Sequence, residues 1–226
     1  MSGFDVALTF DAEHPDGPRC PAGVAERIVS VLDANSITAS FFLQGRWATA
    51  YPDLARQIAD GGHAVGSHSH AHARLANFSP TGLVADIRAA EEAIAASAGV
   101  DPHPWFRCPH GTHSHGEHLA PALRELAYHD AHWNVTARDW EADASAADIA
   151  DRVIDGIETH REGAVVLLHS WPAGVPEALA RIIDHVGERG GRFVTIAEMA
   201  PNSSWLESTV DGQVPNGALA PGRDAV

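Results

Sequence analysis

The chain contains no lysine: all fifteen of its permanently cationic side chains are arginine. That absence removes Schiff-base chemistry and the phosphate-loop lysine from consideration. Cysteine is scarce too. Cys20 and Cys108 are too few for a disulfide scaffold, and at most one local bridge could join them. Positive charge is outnumbered by 30 aspartates and glutamates, and the net charge of -15 leaves no basic face for nucleic acid or an anionic membrane surface. No apolar run approaches the ~20 residues of a membrane span. The opening MSGFDVALTF lacks the basic segment and apolar core of a signal peptide, so a cytoplasmic protein is expected.

What the sequence does have is regular alternation. At 226 residues and 45% apolar content it can build one sizeable core. DVALTF (5–10), ITASFFL (37–43), HAVGS (63–67), PWFRC (104–108), DAHWNV (130–135), AVVLLH (164–169) and RFVTI (192–196) read as buried parallel strands. Between them lie segments with helical spacing of Leu, Ile, Val and Ala, among them LVADIRAAEEAIAASA and VPEALARIIDHVGERG. Ser79 before Pro80 marks a helix start, and Gly190 with Gly191 a helix end. Strands alternating with helices predict an α/β fold with a parallel sheet, open or closed into a barrel. Residues 1–200 read as one domain. Residues 201–226 lose all periodicity and read as an irregular tail.

In such folds the site lies at the carboxyl ends of the strands. Those ends read TFDAEH (9–14), HSHAH (68–72), FRCPHG (106–111), NVTARDW (134–140) and LLHSWP (167–172). Nearly every one carries an ionisable group that a structural loop does not need. His68 and His72, four residues apart, can grip one divalent cation. Taken alone this pair is as easily a polar loop, since the chain has fifteen histidines. Asp11 and Glu13, two apart, project to one side of an extended chain. Two histidines and a carboxylate around an open position make a common hydrolytic metal site, and the remaining carboxylate can take a proton from water.

These five segments, in this order and at these strand ends, resemble the five motifs of the polysaccharide deacetylase family, the NodB-homology group or carbohydrate esterase family 4. TASFFLQG (38–45) is similar to the family's second strand, and the match spans residues 4–200. The resemblance implies a distorted (β/α)7 barrel of parallel strands. It also implies a role at each matched position. Asp11 falls on the general base, and His68 and His72 on metal ligands, with Ser69 between them. Arg107 holds the base and keeps it ionised. Asp139 tunes the acid, Trp140 walls the acetyl pocket, Leu167 adds a second wall, and His169 is the general acid. Two positions depart from the pattern. The family has adjacent aspartates in its first motif, the second being a ligand, whereas Ala12 stands here; Glu13 is the preferred substitute, with His14 or Asp16 as fallback. His110 replaces a tyrosine whose backbone N–H serves the oxyanion, and histidine keeps that N–H.

The implied activity is metal-dependent removal of acetyl groups from an N-acetylated sugar or glycan. The implied cofactor is a divalent ion, zinc first, with cobalt, nickel, manganese or iron also compatible. Two alternatives stand beside it. One is hydrolysis of a small linear or cyclic amide, as in the allantoinase-like branch, favoured by the Asp-x-Glu pattern and His110. The other is a catalytically silent carbohydrate-binding module. The segment 109–118 adds His113, His115 and His118, read as a solvated loop rather than a second metal site.

Overall fold

The computed structural model describes residues 3–13, 20–111 and 117–199. His14, Asp16, His113, His115 and the 201–226 segment lie outside the described residues. In chain order the elements are β1 (Asp5–Ala12), α1 (Val24–Ala34), β2 (Ser40–Leu43), α2 (Gly45–Ala50), α3 (Pro52–Asp60), β3 (Ala64–Ser67), α4 (Pro80–Ala98) and β4 (Trp105–Phe106). There follow α5 (Leu119–Glu125), β5 (His129–Asp130), β6 (Val135–Thr136), α6 (Ala146–His160), β7 (Ala164–His169), α7 (Val175–Glu188), β8 (Arg192–Phe193) and α8 (Ile196–Met199).

All described strand pairs are parallel, in the order β5-β4-β3-β2-β1-β7-β6. β8 pairs with Asp5 and Val6 of β1, below the point where β2 joins it at Thr9. A flat row of seven strands would separate its edges by about 29 Å. Yet the edges β5 and β6 are joined by residues 131–134 alone, a tether of at most about 18 Å. The sheet must therefore curl until its edges approach, which gives the distorted barrel. The run DAHWNV, read above as one strand, is corrected accordingly. Its two ends belong to different strands on opposite edges, and its middle is the tether.

Side-chain alternation along β1 separates the two faces. Val6, Leu8, Phe10 and Ala12 join the main apolar cluster with Ile28, Ile149, Val153 and Ile182 of the surrounding helices. The other face is apolar low in the barrel, where Ala7 meets Val165, Val194 and Met199. It turns polar at the top through Thr9, Asp11 and Glu13, all buried. The burial pattern of β7 matches, with Val166 and Leu168 on the helix side.

Two helices begin on serine side-chain caps. Ser79 Oγ accepts from Gly82 N ahead of α4, with Pro80 at its first position. Ser145 and Asp148 form a reciprocal capping box on α6. Helix α2 carries no such signal; it begins at Gly45, whose N–H donates to Ser69 O (2.9 Å). A side chain at position 45 would run into the His70 ring and the α4 backbone, so only glycine permits this approach of α2 to the histidine loop.

Candidate active site

The chain leaves β3 at Ser67 and turns sharply through left-handed backbone at Ser69 and His72. The turn is not helical, yet it brings the two histidines together. The His68 and His72 rings lie 4.9 Å apart. Ser69 Oγ accepts from His72 N (3.0 Å), and the Asp86 carboxylate of α4 accepts from His70 N (2.9 Å) and Ala71 N (3.2 Å). His70 points away, towards α2.

Both histidines face Glu13. Glu13 Oε2 meets His72 Nε2 and lies 3.4 Å from His68 Nε2. One ligand atom from each of Glu13, His68 and His72 falls within 4.8 Å of the other two, among the described residues a group able to hold a metal ion. The arrangement fits a divalent cation on two further counts. His68 Nδ1 contacts Arg107 O at 2.8 Å, which leaves Nε2 as the inward lone pair. That Nε2 is buried and makes no hydrogen bond. Burial pushes the His68 pKa down, but Asp11 and Glu13 outweigh it and raise it overall. Two buried carboxylates facing one imidazole call for a positive charge between them. Burial lowers His72 to about 4, so it is neutral and able to ligate.

Asp11 lies beside this cluster, its Oδ2 at 3.5 Å from His68 Nε2. Arg107, fully buried, donates from Nη1 to Asp11 Oδ1 (2.9 Å) and Thr9 Oγ1 (2.8 Å) and from Nε to Ala131 O (3.0 Å). Its guanidinium stacks over the Phe42 ring, 4.0 Å from the centroid. Burial lowers the Arg107 pKa, and Asp11 is the main opposing influence.

On the next strand His169 is in register with Asp11. His169 Nδ1 meets Asp139 Oδ1 at 2.8 Å, and its backbone N–H donates to Asp139 Oδ2 (2.7 Å). Its Nε2 lies 3.8 Å from Glu13 Oε1. Burial depresses the His169 pKa, but Asp139, Glu13 and Asp11 together raise it to about 9. Trp140 meets the His169 ring edge-on at 5.4 Å. Leu167 is buried two residues earlier on the same face of β7. His110 is exposed at the rim in left-handed backbone, its ring 4.6 Å from that of His72. The residues singled out from the sequence as catalytic, metal-binding or pocket residues, the fallback ligands His14 and Asp16 apart, thus lie at the carboxyl end of the barrel.

Residues 1–130 match the polysaccharide deacetylase family. A peptidoglycan-N-acetylglucosamine deacetylase of Bacillus cereus is 32% identical over 206 residues, which cover 88% of this chain and 69% of that protein. The chain belongs to the polysaccharide deacetylase family. Among solved structures, a family 4 acetyl xylan esterase from Clostridium thermocellum, in complex with a cobalt ion, superposes with a TM-score of 0.74. It is 31% identical, over 87% of this chain and 90% of that one. An activity-restored variant of a Bacillus anthracis family pseudoenzyme superposes at 0.76 with 25% identity, over 87% of this chain and 67% of that one.

Three residues in this family member escaped the sequence reading. Asp86 anchors the histidine loop from a helix, and nothing in its surroundings marks it. Asp130 accepts from Cys108 N (3.3 Å) and helps to balance Arg107. Trp171, half-buried, donates from Nε1 to Glu13 Oε1 (3.2 Å) across 158 residues of sequence. The last two do lie in or beside runs quoted for other reasons, so a reading of neighbours could have found them. No helix among the described residues is long and apolar enough to cross a membrane.

Proposed function

We propose that this chain hydrolyses the acetamido group of an N-acetylated sugar or glycan. Fold alone does not carry the reading, because a pseudoenzyme shares it. The observation that carries it is the pairing of Asp11 and His169, in register on neighbouring strands and each against the Glu13–His68–His72 cluster, Asp11 beside His68 (3.5 Å) and His169 beside Glu13 (3.8 Å).

Glu13, His68 and His72 hold a divalent cation, zinc first, which supplies Lewis acidity to the carbonyl and acidity to water. Asp11, fixed and charge-balanced by Arg107, takes a proton from water as its oxygen bonds to the acyl carbon. The N–H of His110 donates to the developing oxyanion, a contribution of about 2.7–4 kcal/mol per donor in comparable sites. His169, kept protonated and oriented by Asp139, delivers its proton to the nitrogen as the C–N bond breaks. Acetate and a free amine leave. Trp140 and Leu167 supply the apolar wall for the acetyl methyl group. The acid, the base and their orienting partners are all present, which a silent binding module has no need of.

The test is acetate release from N-acetylglucosamine oligomers, beside ammonia or acid release from small amides, with and without added divalent ions. Asp11→Asn and His169→Ala should abolish turnover with metal content intact, whereas His68→Ala should lose the metal. Full activity in either of the first two variants refutes the assignment, and turnover of small amides alone moves the substrate class.

A further inference from the structure

We propose that Trp171 is a positioning residue that assigns the two oxygens of Glu13 to different tasks. The inference rests on reading Glu13, His68 and His72 as a metal site, and it concerns how this chain manages with glutamate at position 13. Glutamate has three side-chain torsions and two equivalent oxygens, so it presents one oxygen in one place only if something selects it.

The structure holds that selection. Glu13 Oε1 accepts the Trp171 indole N–H at 3.2 Å. Glu13 Oε2 faces His72 Nε2 and His68 Nε2. An indole nitrogen is a donor only and has no lone pair for a cation. It can therefore hold the oxygen that does not ligate, and it leaves Oε2 as the one that does. Trp171 also lies two residues beyond His169, with ring centroids 5.8 Å apart, so the strand end that carries His169 also carries the clamp. The glutamate sits at 4% exposure, where water competes poorly for either oxygen.

Trp171→Phe keeps an aromatic ring and removes the N–H together with the pyrrole half of the indole. The metal-free full chain is titrated with Co2+ against a chelator, and the visible absorption of the cobalt-loaded protein is recorded. The expected result is a loss of affinity of about 10–100-fold, the usual effect of deleting a group that orients a ligand. The cobalt absorption changes with it, while the melting temperature of the metal-free protein stays close to wild type. Affinity within twofold of wild type, with the same cobalt spectrum, overturns the proposal. If the phenylalanine variant does not fold, Trp171→Leu lacks the same donor and is judged by the same two readouts. Wild-type protein that takes up no divalent ion overturns the metal reading itself and this inference with it, a failure visible before any substitution is made.

Discussion

Replacing Asp139 by asparagine isolates one electrostatic effect with little change of shape. The carboxylate accepts from both the ring and the backbone N–H of His169 (2.8 and 2.7 Å), in a pocket where Asp139 is only 2% exposed. Burial works against the imidazolium; Asp139 is the largest influence in its favour, and the pKa stands at about 9. Measured from 6.5, that rise corresponds to about 3 kcal/mol, at about 1.4 kcal/mol per unit. Because the folded value is the higher one, this stabilisation is complete below about pH 6.5 and is lost as pH rises through about 9. In Asp139→Asn the largest influence in favour of the imidazolium is lost and the pKa falls, with only Glu13 and Asp11 left to oppose burial. A fall as far as the ordinary 6.5 takes the protonated fraction at pH 7.5 from about 97% to about 10%, a tenfold loss of general acid, before any loss of orientation is counted. A cation on Glu13 cancels part of that residue's pull, so the wild-type alkaline limb falls at or below about 9. The shift between wild type and variant is nevertheless set by Asp139. The assay is the pH dependence of kcat from 5.5 to 10, with His169 titrated by proton NMR in the metal-free protein. Coincident alkaline limbs in the two proteins refute the reasoning.

Two further substitutions test the frame around the site. Arg107→Met leaves Asp11 buried without its guanidinium partner, a change that costs about 3–5 kcal/mol. In a domain of this size that lowers the melting temperature by roughly 6–20 °C, and an unchanged melt contradicts the pairing. Gly66→Ala places a methyl carbon 2.8 Å from the Phe42 ring and 2.9 Å from the Trp105 carbonyl, between strands that cannot part. Overpacking of this kind costs about 1–3 kcal/mol, so thermal denaturation should shift downward by several degrees.

The parts of the site legible in the sequence are those that local periodicity and strand topology dictate. Ser79–Pro80 announces α4, and alternation puts Asp11 and Glu13 on one face. The strand-end rule collects Arg107, Asp139 and His169 although they come from distant parts of the chain. What was not legible depends on partners rather than patterns. His129–Asp130 and Val135–Thr136 look like one strand because nothing local says that they pair with β4 and β7 on opposite edges. Helix α2 is six residues long and starts with glycine, so propensity argues against it, and its contact with the histidine loop decides. Trp171 stands within a quoted strand-end run, but its contact is with Glu13, just past the end of β1, which no local pattern indicates.

The residues at the first motif fit how far β1 runs in this chain. Its ladder with β2 continues to Ala12, which pairs with Leu43, and Gln44 N donates to Ala12 O (2.9 Å) just beyond. While the strand persists, position 12 must face the helices, and Ala12 sits at 0% exposure in the apolar cluster with Phe10 and Ile28. A carboxylate there would be buried without a partner, at a cost on the order of several kcal/mol, and would point away from His68 and His72. The next residue to return to the site face is Glu13, and its extra methylene reaches the two imidazoles. Ala12 and Glu13 are therefore one adjustment. Alanine at position 12 closes the apolar layer, and the carboxylate one place along stands where the Trp171 indole N–H, just beyond β7, is available to hold it.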